Sequence, residues 1–111
     1  DPDIIIELSD SLVTAEDYLG ATTFLKKVIA LHPDNSHAYY QLGTCCEATG
    51  QIEEAKNSYK KAIDLEPRQA IYYQALGFVY ENSGSHKDAI ACFKKAMDVD
   101  RSQKSRGGGA K

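Results

Sequence analysis

One phrase occurs three times in this chain, at a constant spacing of 34 residues. It is LKKVIALHP from Leu25, YKKAIDLEP from Tyr59 and FKKAMDVDR from Phe93. A second pattern recurs at the same offset, as AYYQLGTCCEATG in 38–50 and IYYQALGFVYENSG in 71–84. Both patterns space their apolar residues as an amphipathic helix does, and the glycine that ends the second pattern fits a turn between two helices. The period therefore predicts a repeated unit of helix, tight turn and helix, closed by a proline or a polar turn.

Each unit can be compared with the pattern W-x2-L-G-x2-Y followed by A-x3-F and P, although the chain contains no tryptophan. The second repeat has Tyr39 in place of the tryptophan and Cys46 in place of the tyrosine, and fits the repeat at Leu42, Gly43, Gly50, Ala55, Tyr59, Ala62 and Pro67. The third matches at Tyr73, Leu76, Gly77, Tyr80, Gly84, Ala89, Phe93 and Ala96, with Arg101 in place of the proline. The first repeat is looser: it keeps Leu8, Leu12, Ala21, Leu25 and Pro33, but departs from the pattern at Ile5, Ser9 and Val28. In period and pattern the chain resembles the tetratricopeptide repeat family over about residues 2–103.

This resemblance implies an all-α fold, an α-solenoid of three helix-turn-helix repeats whose six antiparallel helices form a right-handed superhelical stack. The repeats would be 2–35, 36–69 and 70–103 of one domain, 2–103, before a basic, glycine-rich tail at 104–111. We expect helices near 3–15, 18–31, 36–49, 52–65, 70–83 and 86–100. The small residues Gly43, Gly77, Ala55 and Ala89 would let paired helices approach closely.

The third repeat lacks the proline that closes the other two. Because Arg101 can donate a backbone hydrogen bond, we expect the last helix to pass Asp100 and to end at 107–109. No polar capping helix follows, so part of its apolar side should face outward, namely Ile90, Phe93 and Met97. Two explanations stay open: the chain is a fragment of a longer solenoid, or this face is a second contact surface for self-association.

Composition excludes several classes of function. The net charge is −3 and the repeats themselves are mildly acidic, which argues against nucleic acid as the main partner, because phosphate binding needs clustered lysines and arginines. No apolar stretch approaches the roughly 20 residues of a membrane span, so we expect no membrane insertion. Three cysteines without a CxxC pair predict free thiols in a reducing, cytoplasmic compartment. No catalytic, phosphate-binding or metal-binding motif is present, so the chain is predicted not to be an enzyme and to need no cofactor or metal.

The resemblance also implies a site, since the first helices of such repeats line a concave groove that binds peptide segments. By register, the lining comprises Asp3, Ile6, Glu7, Asp10, Val13, His37, Tyr40, Gln41, Thr44, Glu47, Ile71, Gln74, Ala75, Phe78 and Glu81. One subclass of the family binds acidic C-terminal tails with Lys, Arg and Asn at five of these positions. Here they are Ile6, Asp10, Gln41, Ile71 and Ala75, so every basic residue of that site is missing.

This lining offers apolar and aromatic side chains together with acids, and no lysine or arginine. It predicts a protein-protein interaction module, a scaffold or adaptor, whose partner is a neutral-to-basic protein segment with apolar anchors. The alternative is a structural repeat unit of a longer solenoid or of a self-associating assembly.

Overall fold

The structure, a computed structural model, describes residues 17–108, with side chains described as far as Gln103. Within this range lie five α-helices and no β-strand: α1 (Tyr18–Leu31), α2 (Ser36–Ala48), α3 (Ile52–Leu65), α4 (Ala70–Asn82) and α5 (His86–Gly108). The predicted all-α repeat fold is confirmed, and the bounds of α1 to α4 agree with the predicted ones to within one residue. The first predicted helix, 3–15, lies outside the described residues.

The two glycines that end the longer sequence pattern close the turns within the helix pairs. Gly50 and Gly84 have φ of 80° and 84°, a left-handed conformation that favours glycine. After α2, the amide of Gln51 donates to the Cys46 carbonyl at 2.8 Å, and the amide of Gly50 donates to the Glu47 carbonyl at 3.2 Å. The same pair of bonds recurs at Gly84. Each turn therefore satisfies carbonyls that the helix end leaves without a partner.

Close helix packing depends on the two glycines inside α2 and α4. A Cβ atom at Gly43 would lie 2.6 Å from the Tyr59 ring, and one at Gly77 would lie 2.7 Å from the Phe93 ring. Both distances are well below van der Waals contact. The expectation that these glycines mark close contacts between paired helices is confirmed.

The neighbouring cysteines of α2 face two different core clusters. Cys45 packs with Ala21, Leu25, Val28 and Ala38, where α2 meets α1. Cys46 packs with Ala55, Tyr59, Leu76 and Val79, where α2 meets α3 and α4. Successive helical residues point about 100° apart, so one cysteine pair can serve both interfaces of the helix. All three cysteines are free, as predicted.

A polar network joins the start of α2 to the beginning of the next helix pair. The buried Ser36 hydroxyl donates to Glu66 Oε1 at 2.6 Å and lies 3.1 Å from the hydroxyl of the buried Tyr72. Hydrogen bonds from Ser36 and Gln69 hold the pKa of the Glu66 carboxyl below its usual value. These contacts help to fix α4 beside α2, and the two helices together form a concave surface.

The last helix continues beyond the repeat pattern, as predicted, and ends at Gly108. Two contacts attach its extension to the turn between α3 and α4. Gln103 Nε2 donates to the Arg68 carbonyl at 2.6 Å, and Arg68 Nη2 donates to Ser102 Oγ at 3.4 Å. None of the described helices combines the length and the apolarity that a membrane crossing requires.

Candidate protein-binding groove

A concavity of about 550 Å³ opens between α2 and α4, with Tyr59 of α3 behind it. We call it the α2–α4 concavity. It is lined by Tyr40, Thr44, Glu47, Tyr59, Ile71, Gln74, Ala75, Phe78 and Asn82. Its volume falls in the range of ordinary ligand pockets. The structure thus brings together seven residues of the predicted lining: Tyr40, Thr44, Glu47, Ile71, Gln74, Ala75 and Phe78.

Apolar side chains of α4 form one wall and remain open to solvent. Phe78 is 58% exposed and Ile71 is 49% exposed. They lie seven residues apart, about two helical turns, and therefore on the same side of the helix. The Phe78 ring packs edge-on against Phe93, with 5.2 Å between ring centroids. The wall therefore offers apolar surface on a ring that is already positioned.

Aromatic rings form the floor. The Tyr40 ring centroid lies 5.8 Å from that of Tyr59 and 5.3 Å from that of Tyr72. These separations are typical of packed aromatic pairs. Because Tyr59 and Tyr72 are buried, they hold Tyr40 between α3 and α4.

The acid of the concavity is Glu47, in the last turn of α2. The Tyr59 hydroxyl donates to Glu47 Oε1 at 2.9 Å and lies 3.3 Å from Thr44 Oγ1. Tyr59 is 2% exposed. Burial, with the Glu47 charge contributing, raises the pKa of Tyr59 well above its usual value, so the phenol keeps its proton and remains a donor.

The charge of the concavity has one sign. Among the described residues, no lysine, arginine or histidine lines it, whereas Glu47 does. Glu81, the other described acid of the predicted groove, is not part of the lining. Its Oε1 lies 2.8 Å from His86 Nδ1 across the α4–α5 turn. Glu47 is thus the one acid among the described residues that lines the α2–α4 concavity.

The remaining predicted groove residues are placed differently. His37 lies beside Tyr40 at a centroid distance of 5.9 Å but is not part of the lining. Gln41 is only 6% exposed, and its Oε1 has no hydrogen-bond partner among the described residues. The predicted lining residues of the first repeat, Asp3, Ile6, Glu7, Asp10 and Val13, lie outside the described residues.

Two lining residues were not expected from the sequence. Tyr59 matched the aromatic core position of the repeat. The pattern therefore predicts that its ring is buried, but it does not predict that its hydroxyl extends into the concavity. Asn82 lies four residues after Phe78, so the helical period that selected Phe78 also places Asn82 on that face.

The predicted outer face of α5 is only partly exposed. Ile90 and Met97 are each 56% exposed and lie two turns apart on one side of the helix. Phe93 is half-buried because its ring fills the space beside Gly77.

The described residues also include three thiols and several carboxylates and imidazoles that could carry chemistry. Burial raises the pKa of all three thiols, which keeps them protonated and weakly nucleophilic. No group of three metal-ligating side chains occurs in the part of the chain that the structure describes.

The stacked helix pairs and the concave surface define a class of protein, the helical repeat scaffolds. Sequence comparison gives the family: profiles described as tetratricopeptide repeat match residues 12–77 and 70–103. The chain belongs to the tetratricopeptide repeat family. Among curated protein sequences, none shows significant similarity to it.

The chain is also similar to solved structures of MamA. One crystal structure of MamA has a TM-score of 0.88 at 27% identity, over 95% of this chain and 61% of that chain. The double mutant MamA RS-1 ArsTM has a TM-score of 0.87 at 32% identity, with coverages of 95% and 59%. A structure of MamA MSR-1 has a TM-score of 0.83 at 30% identity, over 93% of this chain and 59% of that chain. The chain thus spans about three fifths of the length of these proteins. Family and fold support a role in protein interaction or scaffolding.

Proposed function

We propose that this chain is a scaffold or adaptor module that binds a peptide segment of a partner protein in the α2–α4 concavity. The observation that carries the proposal is the open apolar wall of Phe78 and Ile71, which faces the same concavity as the Glu47 carboxylate. Exposed aromatic surface in a concave site is the usual anchor for a protein ligand.

Apolar contact supplies most of the affinity. Full burial of a Phe or Ile side chain contributes about 1.5–3 kcal/mol, so covering the exposed half of each contributes on the order of 1 kcal/mol. The segment gains from both residues because they lie on one face of α4. A partner with apolar side chains spaced to meet both residues fits this wall.

Charge supplies the selectivity. Glu47 gives the concavity a negative potential that attracts neutral-to-basic segments and repels acidic ones. Acidic C-terminal tails are therefore the ligands that this groove rejects. Binding should also weaken as ionic strength rises, because exposed charges are screened.

A peptide array incubated with the full chain tests the proposal. Basic peptides with apolar residues should bind, and Phe78→Ala should weaken them by roughly fivefold or more through loss of the aromatic anchor. Ile90→Ala provides the matched control, since Ile90 is equally exposed, at 56% against 58%, but lies on α5 away from the concavity. Tight binding of acidic tails, or equal effects of the two substitutions, would contradict the proposal.

A second candidate function rests on the exposure of Ile90 and Met97. Two large apolar side chains on one side of α5 suit packing against further helices, in a longer solenoid or in a second copy of the chain. Sedimentation velocity over a range of concentrations distinguishes this candidate. Dimers that disappear in the double variant Ile90→Ser/Met97→Ser would support it, and a monomer at all concentrations would contradict self-association.

A further inference from the structure

The Glu47 carboxylate is held in place by a buried donor. Its one described hydrogen-bond partner is the Tyr59 hydroxyl, at 2.9 Å from Oε1. The Tyr59 ring is fixed in turn, because it is 2% exposed and packs directly on the backbone of Gly43. A carboxylate held in this way presents its charge at a defined place, which is what selective recognition of a single cation requires.

No cation of the chain itself neutralises this carboxylate within the described residues. Lys56 and Lys60 do lie over an aromatic ring, but the ring is that of Tyr80, at 5.3 and 5.9 Å from its centroid. Tyr80 is not part of the α2–α4 concavity. A ligand cation would therefore meet a carboxylate that is hydrogen-bonded to Tyr59 but has no competing internal cation among these residues.

The rest of the lining suits a side chain with an apolar stem and a charged head. Phe78 and Ile71 offer apolar surface for methylene groups, and the Phe78 ring can also attract a cation. The Thr44 hydroxyl and the side-chain carbonyls of Gln74 and Asn82 supply neutral oxygen acceptors in the same concavity. Lysine and arginine are the side chains that combine such a stem with several donors.

Other occupants fit less well. An aliphatic side chain would displace water from Glu47 without giving it a hydrogen bond, which disfavours binding. A carboxylate would be repelled. A neutral amide would donate to Glu47 but carries no positive charge, so it would lack the ion-pair attraction that a lysine or arginine adds.

We infer that the α2–α4 concavity is a specificity pocket for one lysine or arginine side chain of the bound segment, with Glu47 as its counter-ion. This inference rests on the proposed function and adds to it the chemistry of the central anchor.

Two pools of fluorescent nonapeptides test it against the full chain by fluorescence anisotropy. The pools share randomised flanking positions drawn from Ala, Leu, Phe, Ser and Gln. They differ only at the centre, which is lysine in one pool and Nε-acetyl-lysine in the other. The lysine pool should bind roughly tenfold more tightly, as expected for a hydrogen bond to a charged group in a partly exposed site.

Three variants locate the origin of the preference. Glu47→Gln keeps an acceptor for Tyr59 and removes the charge, so both pools should bind it equally. Tyr59→Phe should reduce the lysine preference, because the carboxylate is then no longer held. Glu53→Gln is the matched control, since Glu53 is 84% exposed on α3 and paired with Lys56, and its lysine preference should be unchanged. Circular dichroism melting of each variant checks that it is folded.

The outcomes separate the inference from the proposed function. Equal binding of the two pools to the unmodified chain, with both weakened by Phe78→Ala, overturns the cation pocket and leaves the peptide groove standing. A lysine preference that persists in Glu47→Gln also overturns the pocket. Failure of both pools to bind, or binding that Phe78→Ala does not change, overturns the proposed function and the inference with it.

Discussion

Adding one methyl group at Gly43 should destabilise the fold more than the same change at Gly77. The two sites are equivalent by repeat register, and the new Cβ would lie 2.6 Å from the Tyr59 ring in one case and 2.7 Å from the Phe93 ring in the other. The two rings differ in their freedom to move. Tyr59 is 2% exposed and bonded to Glu47, whereas Phe93 is half-buried on the last described helix.

Three contributions set the magnitude at Gly43. Forcing an extra carbon into a packed contact costs about 1–3 kcal/mol, and displacing the Tyr59 hydroxyl from Glu47 costs about 1 kcal/mol. Alanine offsets about 1 kcal/mol through its higher helix propensity. The net loss in the free energy of unfolding is therefore about 2 kcal/mol for Gly43→Ala. At Gly77 the Phe93 ring can shift toward solvent, which lowers the cost of the clash with the new Cβ atom. This cost and the gain in helix propensity nearly cancel, so the free energy of unfolding of Gly77→Ala should stay within about 1 kcal/mol of that of the unmodified chain.

Thermal and urea unfolding followed by circular dichroism measure this difference. Gly43→Ala should lower the Tm by roughly 8–16 °C, since about 1 kcal/mol shifts the Tm of a domain of this size by about 4–8 °C. Gly77→Ala should stay within about 8 °C of the unmodified chain. Asn57→Ala, at an exposed position of α3, gains helix propensity without a clash and serves as the control.

A double variant checks that the Tyr59 ring is the cause. Tyr59→Leu removes the atoms that the new Cβ would meet, so Gly43→Ala should cost at least about 1 kcal/mol less in that background than in the unmodified chain. Equal destabilisation at Gly43 and Gly77, or additive effects of Gly43→Ala and Tyr59→Leu, would refute this reasoning.

Three further predictions concern the regions around the groove. Because the pKa of Glu66 is lowered in the folded state, the ionised carboxylate stabilises the fold above its ordinary pKa, and this stabilisation is lost as pH falls through the region near and below about pH 4. The free energy of unfolding, measured in urea at a series of pH values, should therefore fall less steeply toward acid pH in Ser36→Ala than in the unmodified chain. An unchanged pH dependence would contradict the hydrogen bond from Ser36 to Glu66. Gln103→Ala should speed amide exchange at 101–106 by severalfold, because the end of α5 loses its bond to the Arg68 carbonyl; unchanged rates would show that the helix needs no such contact. Native-state alkylation near neutral pH should be slow and should modify Cys92 before the other two thiols, which are buried; simultaneous modification of all three would contradict the described burial.

The sequence predicted the helices well because the repeat marks both of their ends. Gly50 and Gly84 end the first helix of a pair, and Pro33 and Pro67 follow the second, so a single register places every bound. The extension of α5 followed from the replacement of that proline by Arg101. These are local backbone rules that depend little on distant packing.

The site was predicted less completely because side-chain reach is a tertiary property. Register placed Tyr40, Glu47 and Phe78 on the first helices, and the structure brings them into one concavity. The repeat pattern does not predict that the hydroxyl of the core residue Tyr59 forms a hydrogen bond with Glu47. Nor does register distinguish an open position from a buried one such as Gln41, because burial depends on the neighbouring helix rather than on the period.

Glu81 shows that the sequence pattern also cannot predict which acids pair with basic side chains within the fold. The sequence grouped it with the acids of the groove, yet the short α4–α5 turn brings His86 to within 2.8 Å of its carboxylate. The helical register placed Glu81 on a face but could not show this contact, which depends on how the α4–α5 turn folds. Among the described residues, Glu47 is the acid that lines the α2–α4 concavity.

Peptide binding in the α2–α4 concavity can be located residue by residue from the backbone amide chemical shifts of the full chain, recorded by NMR during titration with the lysine-centred peptide pool. We expect saturable shift changes concentrated at Tyr40, Glu47 and Phe78, and changes at Glu47 that are much smaller with the acetyl-lysine pool. Ile90 and Met97 should change little. Saturable shifts confined to the outer face of α5, with the α2–α4 concavity unchanged, would show that the peptide does not bind in the concavity.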